Sequence, residues 1–326
     1  MKVISLFSGP GGMDLGFLKA GHEIVWANDN DKDCVETYRN YFVKKYNISP
    51  DCIVCKDIRK IKAEEIPNGD VVIGGFPCQG FSIANPYRHT KDQRNELYLE
   101  LLRIIREKKP KYFVAENVPG ICSIGGYETK EDKRKREGRV LKIILKDFED
   151  SGYNVTWKIL NAADFGVPQN RRRVIILGTR KDLIQKLKHP EPTHSKNPKA
   201  GLFGSLKKYV TLGEAIGDLQ EPSENYPIPN HVGTKHVVKI NNYIGNRKTY
   251  PNKPSPTIVG RGGGTGGPVI IPHPNGKRRL TVRETARIQS FPDDLEFMGS
   301  NSSCYRQIGN AVPWPLAYHI AKMMPK

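Results

Sequence analysis

Gly74-Gly75-Phe76-Pro77-Cys78-Gln79-Gly80-Phe81-Ser82 is the stretch that decides how the chain reads. It follows Asp70-Val71-Val72-Ile73, a short β-branched run of the kind that forms a buried strand, so Cys78 is expected in the loop leaving that strand's carboxyl end. Such sheet edges hold active sites. The glycines allow close backbone approach and Pro77 fixes φ beside the cysteine, while Gln79, Ser82 and backbone N–H groups are placed to orient a thiolate or its target. Cys78 therefore reads as a nucleophile, against the alternative of a small buried hydrophobe, which is what most free cysteines are.

The 326 residues are 37% hydrophobic and 26% charged, which suits a globular protein with a substantial core. Lysine and arginine number 52 against 34 acids, a formal charge of +18, and the sequence pI is about 9.6. That excess favours a polyanion such as nucleic acid, although solubility alone also produces basic surfaces. No apolar run approaches the roughly 18 residues of a membrane span, and Val3 to Phe7 is too short for a signal peptide, so no membrane and a cytoplasmic location are expected. The six cysteines do not form a disulfide framework. Cys52-Ile53-Val54-Cys55 has zinc half-site spacing but no second Cys or His pair near it, and alternation in a strand ending at Asp57 accounts for it; no metal is expected.

Upstream of the opening stretch, Lys2 to Phe7 is a compact strand, followed by a glycine-rich turn and a helix over Asp14 to Ala20. Strand, tight loop and helix open a Rossmann-like βαβ unit, yet Gly9, Gly11 and Gly12 do not make the G-x-G-x-x-G of a dinucleotide site. His22 to Ala27 is a second strand ending in Asn28-Asp29-Asn30-Asp31. An acid there can accept both hydroxyls of a ribose, and Asp31 can instead cap the next helix. A third strand covers Cys52 to Ile58, where Asp57 is also a candidate helix cap.

Downstream, residues 83–94 are polar, basic and aperiodic, a loop of functional length. Leu97, Leu101, Ile104 and Ile105 mark one face of a helix. Lys111 to Ala115 is a strand that delivers Glu116-Asn117-Val118 to the same sheet edge as Cys78. Residues 123–139 carry six basic side chains, read as solvated surface or as a loop tracking phosphates. After a helix over Val140 to Phe148 and a strand over Tyr153 to Ala162, alternation along Gln169-Asn170-Arg171-Arg172-Arg173 puts Arg171 and Arg173 on one face and Arg172 on the other. Prolines then punctuate the chain from about residue 181, and Arg261 to Gly267 is glycine-rich enough for its backbone to approach a ligand closely. Thr281 and Glu284 form a capping box, and Tyr305 to Pro313 is expected to open the final helix.

Pro77-Cys78-Gln79 in this setting resembles the catalytic loop of the cytosine-C5 DNA methyltransferases of prokaryotic restriction-modification type. Phe7-Ser8-Gly9-Pro10-Gly11-Gly12, Glu116-Asn117-Val118, Gln169 to Arg173 and Gly309-Asn310-Ala311-Val312-Pro313 occur in that family's order, covering all but about residues 185–275. The resemblance implies an α/β architecture: a Rossmann-like S-adenosylmethionine-dependent domain over residues 1–184, completed by a C-terminal helix over 304–326, with a smaller, irregular, β-rich target-recognition domain over 185–303. It implies Cys78, Glu116, Arg171 and Arg173 as catalytic residues. Arg173 would hold the base O2 and Arg171 would support the loop or a phosphate. Phe7, Ser8, Gly9, Gly11, Gly12, Asp29, Asp57, Ile58, Pro77, Leu97, Asn310 and Ala311 would bind the cofactor, with Asp29 on the ribose, Asp57 on the adenine amino group, and Phe7 and Ile58 against the ring. The implied activity is methyl transfer to C5 of a flipped-out cytosine in a specific double-stranded DNA sequence, by a monomer paired with a cognate endonuclease. The same chemistry on tRNA, or a non-catalytic nucleic-acid-binding protein on the same fold, stays open at this stage.

Overall fold

Short β-branched runs alternate with amphipathic helices along the first half of the chain, which is the pattern of a mostly parallel sheet with helices on both faces. A computed structural model describes residues 1–76, 96–198, 206–233, 248–260 and 271–325. Pro77, Cys78, the 83–94 loop and Arg261 to Gly267 lie outside the described residues. In chain order the elements are β1 (Lys2–Leu6), α1 (Gly12–Lys19), β2 (Glu23–Asp29), α2 (Lys32–Tyr46), β3 (Ile53–Cys55), β4 (Val71–Gly75), α3 (Glu96–Lys108), β5 (Tyr112–Asn117), α4 (Lys130–Lys135), α5 (Arg139–Asp150), β6 (Tyr153–Asn161) and β7 (Arg172–Arg180). There follow β8 (His194–Ser195), β9 (Lys207–Lys208), α6 (Leu212–Ile216), α7 (Val282–Ile288), α8 (Asn301–Asn310) and α9 (Trp314–Ala321).

The seven-stranded sheet has the order β3-β2-β1-β4-β5-β7-β6. Strands β1 to β5 pair in parallel, and β7 runs antiparallel to both β5 and β6. The chain winds outward one way through β1, β2 and β3, then returns to add β4 and β5 on the other side of β1. The switch point therefore lies between β1 and β4, and ligands of such sheets sit outside the carboxyl ends there. Those ends carry Phe7 to Gly11 on one side and Phe76 on the other.

Strand alternation sorts the core into two apolar clusters, one on each face. Val3, Val71, Ile73 and Val114 join Leu15, Phe17, Tyr38, Phe42 and Leu316 in one cluster. Ile4, Val72, Phe113 and Ile176 join Leu101, Ile104, Leu141, Ile144 and Phe148 in the other. Helices α1 and α9 pack closely through Gly16, where a Cβ would stand 2.5 Å from that of Ala317 and 2.6 Å from the Trp314 carbonyl oxygen. Gly16→Ala is expected to lower stability by about 1–3 kcal/mol through overpacking, read as a lower midpoint of thermal unfolding.

In the region 185–303, residues 199–205, 234–247 and 261–270 lie outside the described residues. Its described residues hold one two-residue parallel pair, β8 with β9, and two isolated bridges. Prolines at 190, 192, 222, 227, 229, 251, 254 and 256 withhold N–H groups from ladders along the described part of it. A small apolar cluster of Leu212, Ile216, Ile258, Leu280 and Ile288 organises it instead, bringing α6 and α7 together. Val282, Ala286, Phe291, Leu295 and Phe297 belong to the larger core with α1 and α2, so apolar packing is continuous across this junction. The expected capping box is present, with Thr281 Oγ1 accepting from the Glu284 N–H and Glu284 Oε2 accepting from the Thr281 N–H.

The C-terminus differs from expectation. Gly309-Asn310 closes α8 rather than opening the last helix, and Ala311 to Pro313 separates α8 from α9. Pro313 has no N–H to continue a helical ladder and blocks the helical conformation at Val312.

Candidate active site

Two parallel strands place the acidic half of the site. In the β4–β5 pairing Gly75 stands opposite Glu116, at the carboxyl ends of both strands. A Cβ on Gly75 would lie 2.8 Å from Glu116 Oε2, so the absence of a side chain lets the carboxylate rest against β4. Asn117 Nδ2 donates to the Phe76 carbonyl at 2.9 Å, and Asn117 Oδ1 accepts from the Val118 N–H. The residue after the acid thus fixes the backbone that leads into Pro77.

Strand β7 supplies the cations. The expected alternation holds: Arg171 is fully buried, Arg173 is nearly so and Arg172 is exposed. Arg173 Nε meets Glu116 Oε1 at 2.7 Å, and Arg173 Nη1 donates to the Arg172 carbonyl at 2.7 Å. Burial pushes the Glu116 carboxyl above the usual range, with the charges of Arg173 and Arg171 pulling the other way. A carboxyl so held keeps its proton more readily than an ordinary carboxylate while an adjacent guanidinium fixes its orientation.

Arg171 does something other than hold a phosphate. Its Nη1 donates to the Ile258 carbonyl at 2.6 Å, and its Nη2 donates to the carbonyls of Gly309 at 2.7 Å and Ala311 at 2.8 Å. With no exposed surface it cannot reach a solvent-facing phosphate, and that part of its expected role is withdrawn. Gln169 and Gln289 extend the same clasp. Gln169 Oε1 accepts from the Ile258 N–H at 2.9 Å, its Nε2 donates to Gln289 Oε1 at 2.5 Å, and Gln289 Nε2 donates to the Ala311 carbonyl at 2.6 Å. Three buried polar side chains therefore tie the head of β7 to residue 258 and to the end of α8.

At the other side of the switch point, the backbone leaves β1 through Phe7 with φ of 53° and Gly9 with φ of 55°. The first is uncommon for a residue with a side chain. Ser8 N–H donates to the Asn28 carbonyl and Gly9 N–H donates to Asp29 Oδ2, both at 2.9 Å, while Asp29 Oδ1 accepts from the Asp31 N–H. Asp31 caps α2 and pairs with Arg306. Phe7, Ile58 and Leu97 lie against one apolar cluster. Gly12 faces the C-terminal segment, where a Cβ would meet the Val312 carbonyl oxygen at 2.3 Å and the Ala311 Cβ at 3.2 Å. Asn310 is exposed beside Gly260. Asp57 differs: it caps a 3-10 turn through the Arg59 N–H and both its oxygens also bind the Arg59 guanidinium, the nearest at 2.6 Å. Among the described residues no group of three metal-ligating side chains occurs.

Matched against known families, residues 1–326 fit the C-5 cytosine-specific DNA methylases from end to end. The chain belongs to that family. The enzyme is 40% identical to the Type II methyltransferase M.NgoFVII of Neisseria gonorrhoeae, over 98% of this chain and 85% of the relative. It is 38% identical to M.MthTI of Methanothermobacter thermautotrophicus, over 100% and 97%. Among solved structures it resembles a putative DNA modification methyltransferase encoded within an E. coli prophage, with a TM-score of 0.70 and 25% identity over 99% and 98%. A Spodoptera frugiperda DNMT2 variant, 18% identical with a TM-score of 0.68 over 99% and 98%, shares the fold. The methylase thus acts on DNA cytosine, with S-adenosylmethionine as its methyl donor. The carboxyl edge of β1 and β2 suits that donor: among the described residues the space a Cβ on Gly9 would enter is open to 4 Å, and Asp29 lies beside it.

Sequence reasoning passed over several residues of the methylase. Asn117 and Gln169 were visible only as letters of motifs, Gln289 carried no signal, and Asp14 was just the first acid of a helix. Asp14 is fully buried below the glycine loop, accepting from Ser5 Oγ at 3.0 Å and from Tyr38 OH at 2.9 Å. Burial, the largest influence, pushes its carboxyl up to about 6 from 3.8; the Tyr38 and Ser5 hydroxyls oppose this and the Asp29 charge adds to it. A raised carboxyl contributes stability that is complete below the unfolded value and lost as pH rises through the folded one. Asp14→Asn is therefore expected to gain on the wild type by up to about 3 kcal/mol between pH 4 and pH 7, measured by denaturant unfolding at each pH.

Proposed function

We propose that this methylase recognises one short sequence in double-stranded DNA, methylates a single cytosine within it, and thereby protects cellular DNA from a restriction endonuclease of the same specificity. We further read it as a cytoplasmic monomer, with residues 185–303 and their glycine-rich segment 261–267 reading the bases. The Type II names of its relatives and the net charge of +18 support this reading.

The observation that carries the chemistry is the Glu116–Arg173 pair at the switch-point edge, beside the strand that leads into Cys78. C5 of cytosine is a poor nucleophile until a thiolate adds to C6. Cys78 supplies that thiolate, and an ordinary thiol with a pKa near 8.5 must first give up its proton to do so. Glu116 holds the N3 and amino edge and shares its proton with N3 as the ring takes up charge. Arg173 Nη2, which has no partner among the described residues, is the donor for O2. When bound, S-adenosylmethionine supplies an electrophilic methyl carried on a sulfonium. Asp29 takes its ribose, Phe7, Ile58 and Leu97 flank its adenine, and Ser8, Gly9, Gly11, Gly12, Pro77, Asn310 and Ala311 border its methionine end. Asp57, which already holds the Arg59 guanidinium, takes the adenine amino group. Loss of the C5 proton then expels Cys78. The target base must leave the duplex for any of this, at a cost of a few kcal/mol.

Bisulfite sequencing of plasmid DNA from cells expressing the chain identifies the methylated cytosine. A duplex with 5-fluorocytosine at that position should then form a denaturant-resistant adduct at Cys78, only when S-adenosylmethionine is present. An intact methyl transfer activity with no adduct, or labelling of tRNA in preference to duplex DNA, would overturn the reading.

A further inference from the structure

Residues 248–253, Lys-Thr-Tyr-Pro-Asn-Lys, form an exposed turn that is pinned from behind. Thr249 is 3% exposed and its Oγ1 donates to the Pro272 carbonyl at 2.8 Å. The Pro251 carbonyl accepts from the Gly213 N–H at 2.8 Å and the Lys253 carbonyl from the Leu212 N–H at 2.9 Å, which fastens the turn to the start of α6. The exposed side chains include two cations and an aromatic ring, beside Pro251 and Asn252. Tyr250 is 47% exposed. Lys248 Nζ lies 5.8 Å and Lys253 Nζ 4.8 Å from the centroid of its ring.

Among the described residues, surface lysines such as Lys45, Lys111, Lys135 and Lys146 pair with a carboxylate. Neither Lys248 nor Lys253 has one among the described residues. Their shared ring restrains two otherwise flexible ammonium groups while leaving their N–H donors without an acceptor among the described residues, since a cation–π contact uses the ring's field and not the donors. Two restrained, uncompensated ammonium groups are suited to bridge successive phosphates. The turn is also continuous with the catalytic edge. Two residues beyond Lys253, Ser255 forms an isolated parallel bridge with Gln169, and its carbonyl accepts from the Asn170 N–H at 2.8 Å. Gln169 and Asn170 lead directly into Arg171 and Arg173.

We propose that Lys248, Tyr250 and Lys253 form a knuckle that grips the phosphate backbone of double-stranded DNA alongside the target cytosine. The inference rests on the duplex-DNA reading above. It assigns the knuckle to affinity and register, with no part in base recognition.

The test uses the full chain and a fluorescein-labelled mixed-sequence 30-base-pair duplex, with binding followed from about 50 to 300 mM salt. Each lost phosphate contact should lower the slope of log affinity against log salt by about 0.9. Lys248→Gln with Lys253→Gln should thus reduce that slope by nearly two and weaken binding about tenfold or more at 0.1 M salt. Lys248→Arg with Lys253→Arg should keep the wild-type slope. Tyr250→Leu should weaken binding about threefold with an unchanged thermal midpoint. At saturating unmethylated plasmid, kcat of the double glutamine variant should equal that of the wild type, so that the loss falls on KM for DNA. An unchanged slope in the double glutamine variant, or an equal loss of slope in the arginine pair, would overturn the knuckle. Failure of the wild type itself to methylate duplex DNA would instead overturn the reading on which it rests.

Discussion

Glu116→Gln is expected to lower the rate of methyl transfer by about 10²–10⁴, the range of a lost general acid. Glutamine keeps the shape of the side chain and one acceptor oxygen, so it can still rest against Gly75, but it cannot share a proton with N3. It also removes the carboxylate that meets Arg173 Nε at 2.7 Å, leaving a nearly buried guanidinium without its counter-charge. The second effect costs stability, since breaking one half of a buried pair leaves the other uncompensated. The first acts on the chemical step alone. A single-turnover assay with labelled S-adenosylmethionine and unmethylated plasmid separates them, because duplex affinity should change little. The pH profile gives the sign. Burial raises the Glu116 carboxyl, so its protonated form persists above the ordinary carboxylate range and is lost as pH rises through the raised value. Wild-type activity should therefore show an alkaline limb from Glu116 that the glutamine variant lacks.

Arg171→Met should cost about 2–6 kcal/mol of stability, because it takes a charged donor away from buried backbone carbonyls. Methionine roughly matches the aliphatic volume but donates nothing, and the carbonyls of Ile258, Gly309 and Ala311 are left without that partner. Buried acceptors in this state cost about 1–3 kcal/mol each, reduced where Gln289 still serves the Ala311 carbonyl. The segment at 258–260 and the end of α8 should loosen together, giving faster proteolysis at both places and a lower midpoint in urea. Arg171→Lys should recover only part of the loss, because one ammonium cannot reproduce two amino groups spread over three carbonyls.

The motif residues were legible because their chemistry restricts them locally. A β-branched run followed by Gly-Gly marks where β4 ends, Glu116 follows a strand that can only be buried, and the spacing of Arg171, Arg172 and Arg173 sorts them by face whatever the neighbours are. The Thr281–Glu284 capping box lies within one helical turn and needed no tertiary context. By contrast, the placement of Gly309-Asn310 at a helix start came from short polar signals. Packing against 258–260 decided it otherwise, where a Cβ on Gly309 would lie 2.4 Å from the Val259 carbonyl carbon.

What the sequence determined by itself was the βαβ order, the two-faced core and the edge at which Glu116 and the cysteine loop emerge, since period and glycine placement are local properties of the chain. What only the tertiary structure decided was the use of the polar residues that touch across long separations. Arg171 became a clasp on residues 258, 309 and 311, Asn117 an anchor for the Phe76 carbonyl, and Gln289 a link from Gln169 to Ala311. A donor's value depends on which buried carbonyl it meets, and that meeting is fixed by how the sheet, α8 and the 258–260 segment pack together.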